Sequence, residues 1–560
     1  MLRFHDGDRW ATMSWAELAA RVRAVAAGLI ASGVRPGDRI GIMSPTRPEW
    51  TIADLAILAA AGVTVPVYET DAPRRCADVL GDTGPRLVLA GSNDLAKRIA
   101  TARDQVGWPH ELLVLDEGGL DDLAARGDAD ALEELDRRLD ALSGDAVASI
   151  VHTSGTTGRP KGCVLTHHNL LWTTRQSLAA VQEAFAGQRP STLLFLPLAH
   201  VFARIIQFAA LEQGAVLGYA RSRERLSDDL QAVQPRFLLG APRVFEKLHE
   251  RASDQASGLA SRVFALAEDV ANDLASNDPG PLTRLQASVA DLLVFRRIRD
   301  SLGGHVRYAL SGGGPIDDAL VHFLDATGLT LLQGYGLTET SAPATIDRPD
   351  DHRAGTVGRP LPGVEVGIDD AGQVLVRGPN VFQGYLGDPE ATAAAIDGQG
   401  WLHTGDLGEF DPDGCLRITG RRKEVLVTAG GKNVAPEPLE EQLRAHPLIA
   451  EPVVIGDQRP FIAALITLDP QRLERFARDH GLDGEHGSLH QHEQVRHEIA
   501  EAVEEVNRQV SRAESIREFR ILERRFRIED DELTPTRKPR RSTILERFSD
   551  VVDEIYDAGS

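Results

Sequence analysis

From about Val63 to Pro315 the chain alternates short runs rich in Val, Ile and Leu with segments of helical period, and this alternation limits the fold more than any other feature. The runs Arg86–Ala90, Leu112–Leu115, Ser149–His152, Leu193–Leu196, Arg236–Leu239 and Val306–Leu310 have strand length and little polar alternation, as strands buried on both faces require. The intervening helical segments supply the covering layers, so the expected class is α/β with largely buried sheets. At 560 residues the chain is too long for one ordinary core. Between Ala256 and Leu302 the pattern changes. Leu259, Val263, Leu266, Val270 and Leu274 form one apolar stripe, Asn277 to Pro281 breaks the chain, and Leu282, Leu285, Val289, Leu292 and Phe295 begin a second, which predicts a helical hairpin insert at about 256–302.

After Gly328 short strands punctuated by Gly and Pro follow at Gly363–Asp369, Gly372–Arg377 and Cys415–Thr419, a β-rich subdomain at about 345–420. The block 421–560 carries predicted strands at Glu424–Thr428, Val453–Ile455 and Ile462–Thr467 and a helix at Pro436–Arg444. The expected organisation is a large N-terminal domain of layered α/β sheets, 1–420, and a small mobile α+β C-terminal domain, 421–560. A net charge of -22 argues against the whole chain binding nucleic acid or an anionic membrane through its average field, although a small local basic site stays open, and 5% aromatic residues are too few for stacking platforms or an aromatic membrane belt. Cys76, Cys163 and Cys415 lie too far apart for a zinc or disulfide framework and fit a reducing, cytoplasmic setting. The opening residues lack the order of a signal peptide, and Leu55–Val67, the longest apolar stretch, is too short to cross a bilayer.

The most informative stretch is Thr153, Ser154, Gly155, Thr156, Thr157, Gly158, Arg159, Pro160, Lys161 and Gly162, after an apolar strand and before a helix opening near Thr166. Glycines let backbone N–H groups turn inward, hydroxyls add donors and Lys161 adds charge, which together describe a polyphosphate cradle. Lys161 is followed by Gly162, not by Ser or Thr, so this is not a Walker loop. The plain alternative is a flexible polar turn.

With this loop in hand the chain resembles the adenylate-forming superfamily of acyl- and aryl-CoA ligases, luciferases and peptide-synthetase adenylation domains. Four further motifs follow in the family's order: Gln333 to Thr340, Trp401 to Asp406, Gly420 to Glu424, and Leu533 to Arg541. Pro242 to Lys247, the insert and Leu302 to Arg307 resemble the long-chain fatty acyl-CoA synthetase branch. The resemblance implies ATP, Mg²⁺ and CoA as cofactors or co-substrates, and a two-step reaction: fatty acid and ATP give acyl-AMP and pyrophosphate, then the CoA thiol expels AMP. It also implies that Glu339 holds Mg²⁺, where a helix-start carboxylate is the alternative. Thr156, Lys161 and Lys538 would stabilise the reacting phosphate, and His200 would line the junction of acyl pocket and pantetheine channel. Gly312, Gly313, Gly314, Pro315, Gln333, Gly334, Tyr335, Gly336 and Thr338 would surround the adenine and phosphates. Asp406 and Arg421 would take the ribose, Lys423 would be the hinge, and Gly430, Gly431 and Lys432 would face CoA. Without the family's motifs Tyr335 reads first as a core residue and the arginines around Lys538 first as a solvated face, while Asp406 has a turn residue as its alternative.

Arg537 stands where many relatives have glycine, although Thr534-Pro535-Thr536 is the form of the long-chain branch. The segment Leu2 to Trp15 begins later than in relatives, as for a short natural terminus or a misplaced start codon. Rivals are an acyl-AMP ligase serving a carrier protein, a ligase for medium-chain or aryl acids, and a silent nucleotide-binding protein. Expected partners are the small-molecule substrates. Arg296, Arg297 and Arg299 leave a peripheral membrane contact open beside a solvated helix face, and a homodimer is equally open.

Overall fold

The computed structural model describes residues 1–7, 9–106, 111–153, 160–185, 190–222, 224–254, 259–275, 280–429, 432–482, 489–512, 514–534 and 537–557. The chain divides into two compact units, residues 1–367, 375–404 and 410–416, and residues 368–374, 405–409 and 417–560.

The first unit holds two large sheets. One has nine strands in the order Arg359–Pro360, Ala342–Ile346, Thr330–Leu337, Tyr308–Gly312, Phe237–Gly240, Ser191–Leu194, Val216–Tyr219, Leu2–Asp6 and Arg9–Met13. The other has seven, in the order Gly384–Tyr385, Lys161–Thr166, Val147–Thr153, Val63–Val67, Arg39–Met43, Leu87–Ala90 and Glu111–Val114. Their central strands are parallel, and Val63–Val67, Leu87–Ala90 and Phe237–Gly240 are buried along their whole length, as strands covered on both faces must be. Helix starts follow local chemistry. Ser14 and Glu17 form a capping box for Trp15–Ala31, and Thr166 and Asn169 form one for His167–Ala180, each satisfying N–H groups that the first turn leaves unpaired.

The helical insert is present as Leu259–Leu274 and Pro281–Ala290, continued by a π turn at Asp291–Phe295 and the helix Arg296–Ser301. Its two apolar stripes are not equally buried. Phe264, Val270, Val294 and Phe295 are buried, but Leu266, Leu282, Leu285, Val289 and Leu292 are exposed. The second helix turns Gln286, Ala287 and Ala290 inward instead, and the two alanines let it lie closely on its neighbour. Arg299 is no free surface cation either: its guanidinium donates to Asp291 Oδ1 (2.7 Å) and to the Thr327 carbonyl (2.6 Å).

A four-stranded sheet follows, ordered Glu365–Ile368, Gln373–Arg377, Leu402–Phe410 and Leu416–Arg421. The second unit is built on the sheet Ile449–Ile455, Ile462–Leu468 and Ile516–Ile521. Its first two strands are wholly buried because both faces are covered. Val454, Ala464 and Ile466 meet Leu439, Leu443, Ile499 and Val503 on one side; Val453, Ala463 and Leu465 meet Ile544, Val552 and Ile555 on the other. The expected strand Glu424–Thr428 shrinks to Leu426–Val427, paired with Asn433–Val434. Among the described residues no helix is long and apolar enough to cross a membrane.

Candidate functional site

The phosphate-loop candidate joins two antiparallel strands, with Thr153 opposite Lys161. The helix opens after its N-cap Thr166, where the sequence pattern put it, but the run Lys161–Thr166 before it is a strand that the pattern did not show. Ser154, Gly155, Thr156, Thr157, Gly158 and Arg159 lie outside the described residues.

Lys161 opens its strand with the side chain over a ring that the sequence did not single out. Its Nζ stands 4.8 Å from the centre of Tyr385, and the Tyr385 hydroxyl donates to Glu339 Oε1 at 2.9 Å. Cation, phenol and carboxylate therefore form one chain. Tyr385 is brought there by an edge strand that pairs Gly384 with Val164 and Tyr385 with Cys163. Desolvation first, then the Glu339 charge, raise the Tyr385 pKa far above its usual value, so the hydroxyl remains a donor at any working pH. The buried Cys163 thiol is pushed up by the same two causes. Glu339 sits in the tight turn Thr338–Thr340, which ends with Ser341 at φ 55°. Thr340 braces that turn: its hydroxyl accepts from Leu337 N–H at 2.7 Å and lies 2.7 Å from the Ala342 carbonyl. A Cβ on Gly336 would fall 1.9 Å from that carbonyl, so the strand can fold back there only with glycine.

Gly312 pairs with Gly334 and Ser311 with Gln333 on adjacent parallel strands. Gly313 has φ 87°, with open space where the first carbon of a side chain would stand, so what reserves the position for glycine is the left-handed backbone, which glycine alone adopts without cost; Gly314 and Pro315 complete the turn. Gln333 and Tyr335 are buried, so Tyr335 has the packed environment of its plain alternative while standing beside this turn's strand. Gln333 Nε2 and Ser311 Oγ are buried and have no hydrogen-bond partner among the described residues. Polar atoms left this way inside a protein are uncommon, and a donor here fits an acceptor on a heterocyclic base. The Gln333 N–H donates to Asp347 Oδ2 at 2.8 Å, and Asp347 N–H to the Gln333 carbonyl at 2.8 Å. Burial pushes the Asp347 carboxyl up to about 8.

His200 caps the helix Val201–Glu212: its Nδ1 accepts from the Phe202 N–H at 3.2 Å, which leaves the proton of the neutral ring on Nε2. Behind it an apolar cavity of about 50 Å³ lies between that helix and the nine-stranded sheet, lined by Phe202, Ile205, Ile206, Ala209, Leu310 and Ile346 among others. No sequence motif marked these residues. The helix is anchored by a buried network that was equally unmarked. Arg204 donates to Asp54 at 2.7 and 3.2 Å and to Ser149 Oγ at 2.7 Å, while Gln207 and Thr64 also donate to Asp54. Arg204 and Asp54 are both fully buried.

The remaining candidates gather within the second unit. Asp406 is buried in the strand Leu402–Phe410, not in a turn, and lies 3.3 Å from Arg421 Nε. Lys538 is close enough to this pair to be titrated by it. Its pKa is lowered by desolvation and by the like charge of Arg421, against the opposing pull of Glu437, Asp406 and Glu424. The residue keeps more than a third of its surface open, so the Arg421 repulsion is the firmer cause. Burial raises the Glu437 carboxyl. A small loop presents Lys538: its N–H donates to Thr534 Oγ1 (2.9 Å), and Thr534 N–H donates to the Lys538 carbonyl (2.8 Å). Arg537 takes φ 65°, the left-handed region where relatives' glycine is at ease. The neighbouring arginines do not form a solvated face, since Arg540 pairs with Asp531 at 3.2 Å and Arg541 with the buried Glu440. Lys423 is exposed in the turn after Arg421, and Lys432 donates its N–H to Thr428 Oγ1 at 3.2 Å. Gly430 and Gly431 lie outside the described residues.

Among the described residues no three His, Cys, Asp or Glu side chains gather as metal ligands. A lone carboxylate at Glu339 beside Lys161 suits a hard cation that draws most of its oxygens from phosphate and water.

The AMP-binding enzyme family matches residues 2–386, and the AMP-binding enzyme C-terminal domain matches 423–560. The long-chain-fatty-acid–CoA ligase FadD15 of Mycobacterium bovis is 43% identical over 565 residues, covering 99% of this chain and 94% of that protein. The long-chain-fatty-acid–CoA ligase ACSBG1 of Mus musculus is 31% identical over 99% of this chain and 83% of its own length. Among solved structures, ATP-bound MatB from Rhodopseudomonas palustris superposes with a TM-score of 0.73 at 24% identity, over 98% of this chain and 96% of that one.

Proposed function

The chain belongs to the AMP-binding, adenylate-forming enzymes and has long-chain fatty acid–CoA ligase activity with ATP and CoA as co-substrates; from that premise we propose how its residues divide the work. The Lys161–Tyr385–Glu339 chain is the observation that carries the proposal, because it sets a cation and a carboxylate beside the polyphosphate-type loop. Lys161, with Thr153 to Gly158 including Thr156, binds the phosphates. Glu339 would hold Mg²⁺, which when bound neutralises phosphate charge. The turn Gly312–Pro315 and the strand with Gln333, Gly334, Tyr335, Gly336 and Thr338 take the adenine, the orphan Gln333 Nε2 meeting a ring nitrogen. Asp406, held by Arg421, accepts both ribose hydroxyls.

In the first step a carboxylate oxygen of the fatty acid forms a bond to the α-phosphorus and the bond to pyrophosphate breaks. Lys538 carries its positive charge to the oxygens where negative charge grows, and so favours the transition state over the ground state. In the second step the thiol sulfur of CoA attacks the acyl carbonyl and AMP leaves. The apolar cavity lined by Phe202 and Ile205 would take part of the acyl chain, His200, two residues before Phe202, would line the junction with the pantetheine channel, and Gly430, Gly431 and Lys432 would lie on the CoA side. The same proposal makes 421–560 a mobile domain pivoting at Lys423 after 1–420, and puts the reaction in the cytoplasm, where the buried, free Cys76, Cys163 and Cys415 stay reduced.

The test separates the half-reactions. Lys538→Ala should abolish most ATP–pyrophosphate exchange driven by a long-chain acid while thioester formation from supplied acyl-AMP persists. Equal loss of both rejects the assignment. Exchange without CoA-dependent product would instead make the protein an acyl-AMP ligase.

A further inference from the structure

Three segments of the second unit meet around Lys538. The strand Leu416–Arg421 ends against the start of the helix Pro436–Arg444, so close that a Cβ placed on Gly420 would lie 3.3 Å from the Ala435 Cβ. The loop that carries Lys538 is pinned to the same helix by Arg541, whose guanidinium pairs with Glu440 and donates to the Val454 carbonyl. Glu437 stands two residues after Ala435 and one turn before Glu440, on the side of the helix that Arg541 grips. Arg421, Glu437 and Lys538 are thereby brought to one junction. Most charges there are already matched. Arg421 takes Asp406 at 3.3 Å, Arg540 takes Asp531 and Arg541 takes Glu440. The half-buried Glu437 carboxylate has no hydrogen-bond or ion-pair partner among the described residues, and the mechanism proposed above does not use it.

We propose that Glu437 is a positioning residue for the first step: its carboxylate is the counter-charge that keeps the Lys538 ammonium in this junction until the phosphate takes it over. The inference rests on the reading of Lys538 as the cation of that step. Lys538 needs a counter-charge, because desolvation and the like charge of Arg421 both work to strip its proton, and a neutral amine cannot stabilise negative charge growing on a phosphate. Three carboxylates face it, and of these Glu437 pulls hardest, ahead of Asp406 and Glu424. The attraction is mutual, since Lys538 is the cation that most favours the charged form of Glu437, ahead of Arg421. Asp406 is engaged by Arg421, which leaves Glu437 as the carboxylate available to the lysine. The absence of a direct ion pair between them suits the role. A carboxylate at longer range holds the charge on the ammonium and leaves its long side chain free to move to the phosphate, where a close pair would tie it down in the ground state.

The experiment reads the titration of Lys538 without turnover. Full-length protein is trace-labelled with acetic anhydride across a pH series, and acetylation of Lys538 is followed by mass spectrometry. Glu437→Gln should lower the Lys538 midpoint by on the order of one pH unit, and Glu437→Asp, which keeps the charge, should restore most of that shift. In ATP–pyrophosphate exchange the alkaline limb of Glu437→Gln should move down with the midpoint, while thioester formation from supplied acyl-AMP keeps its pH profile. An unmoved midpoint overturns the proposal. A carboxylate that only steadies the helix start would give that result, with a lower melting temperature as its sole effect. An equal shift in both half-reactions also overturns it. The reading of Lys538 fails separately, if Lys538→Ala spares exchange; an unmoved midpoint with exchange lost in Lys538→Ala refutes Glu437 alone. Should Glu437→Gln fail to melt cooperatively, Glu437→Ala, which removes the same charge, decides by the same labelling.

Discussion

Replacing Tyr385 by phenylalanine removes one hydroxyl and leaves the ring beneath Lys161. What is lost is the 2.9 Å hydrogen bond to Glu339 Oε1. A hydrogen bond to an ionised group contributes about 1.5–3 kcal/mol. Because Tyr385 and Glu339 are both only half-buried, the lower end is the upper bound here, and about 1.5 kcal/mol or a little less corresponds to a roughly five- to tenfold change in rate. The loss should fall on adenylation, where Glu339 is proposed to hold the metal. In ATP–pyrophosphate exchange titrated with Mg²⁺, Tyr385→Phe should lower the maximal rate or raise the Mg²⁺ requirement by that factor, with KM for the fatty acid unchanged. Tyr385→Leu also removes the cation–π contact and should lose about 0.5–1 kcal/mol more. The raised Tyr385 pKa adds that the wild type shows no alkaline loss traceable to this phenol. Wild-type Mg²⁺ dependence in Tyr385→Phe, or an equal fall in thioester formation from supplied acyl-AMP, would refute the positioning role.

Three other substitutions test the surrounding structure. Arg204→Met strands the buried Asp54 carboxylate and should cost about 3–5 kcal/mol of stability, read as a lower denaturation midpoint; adding Asp54→Leu should recover part of it. Arg537→Gly relieves a left-handed backbone at φ 65° and should raise stability by up to about 1 kcal/mol after the greater freedom of the unfolded glycine is discounted, read as a higher melting temperature; a fall would contradict the strain argument. Asp347 titrates at about 8 in the folded protein, above its unfolded value. Its contribution is therefore fully present at acid pH and fades as pH rises from the ordinary carboxylate range through about 8. Asp347→Asn, which can still accept from Gln333 N–H, should flatten that part of the melting temperature–pH profile, and an unchanged slope would assign it to other groups.

The layered α/β architecture was legible because a strand buried on both faces has to be apolar at nearly every position, and Val63–Val67 or Phe237–Gly240 can hardly be written otherwise. The insert shows where that logic stops. Helical spacing of Leu282, Leu285, Val289 and Leu292 establishes a face, but not which way the face points. Direction is settled by what the neighbouring helix can accept, and Phe264, Ala267 and Ala271 share one buried cluster with Ala290. The strand Lys161–Thr166 was hidden for a related reason. Its hydroxyl at Thr166 and the glycine at 162 look like loop residues until the long-range pairing with Val147–Thr153 is known.

The chemical identities at the candidate site were legible as ordered motifs, whereas the contacts between them were not, since each contact is made by chain segments distant in sequence. Tyr385 carries no motif of its own; it joins Lys161 to Glu339 only because an edge strand adds to Lys161–Thr166 in antiparallel register. Arg204 and Asp54 are 150 residues apart, and an arginine within an apolar helix is more readily taken for a surface residue than for the centre of a buried network. Arg537 is the instructive case between these. Its departure from glycine was visible in the sequence, but only the backbone angle shows that the loop kept its left-handed turn and accepted the strain. That matters for chemistry because the same turn sets the Thr534–Lys538 hydrogen bonds, and with them the direction from which Lys538 can bring its charge towards Asp406 and Arg421.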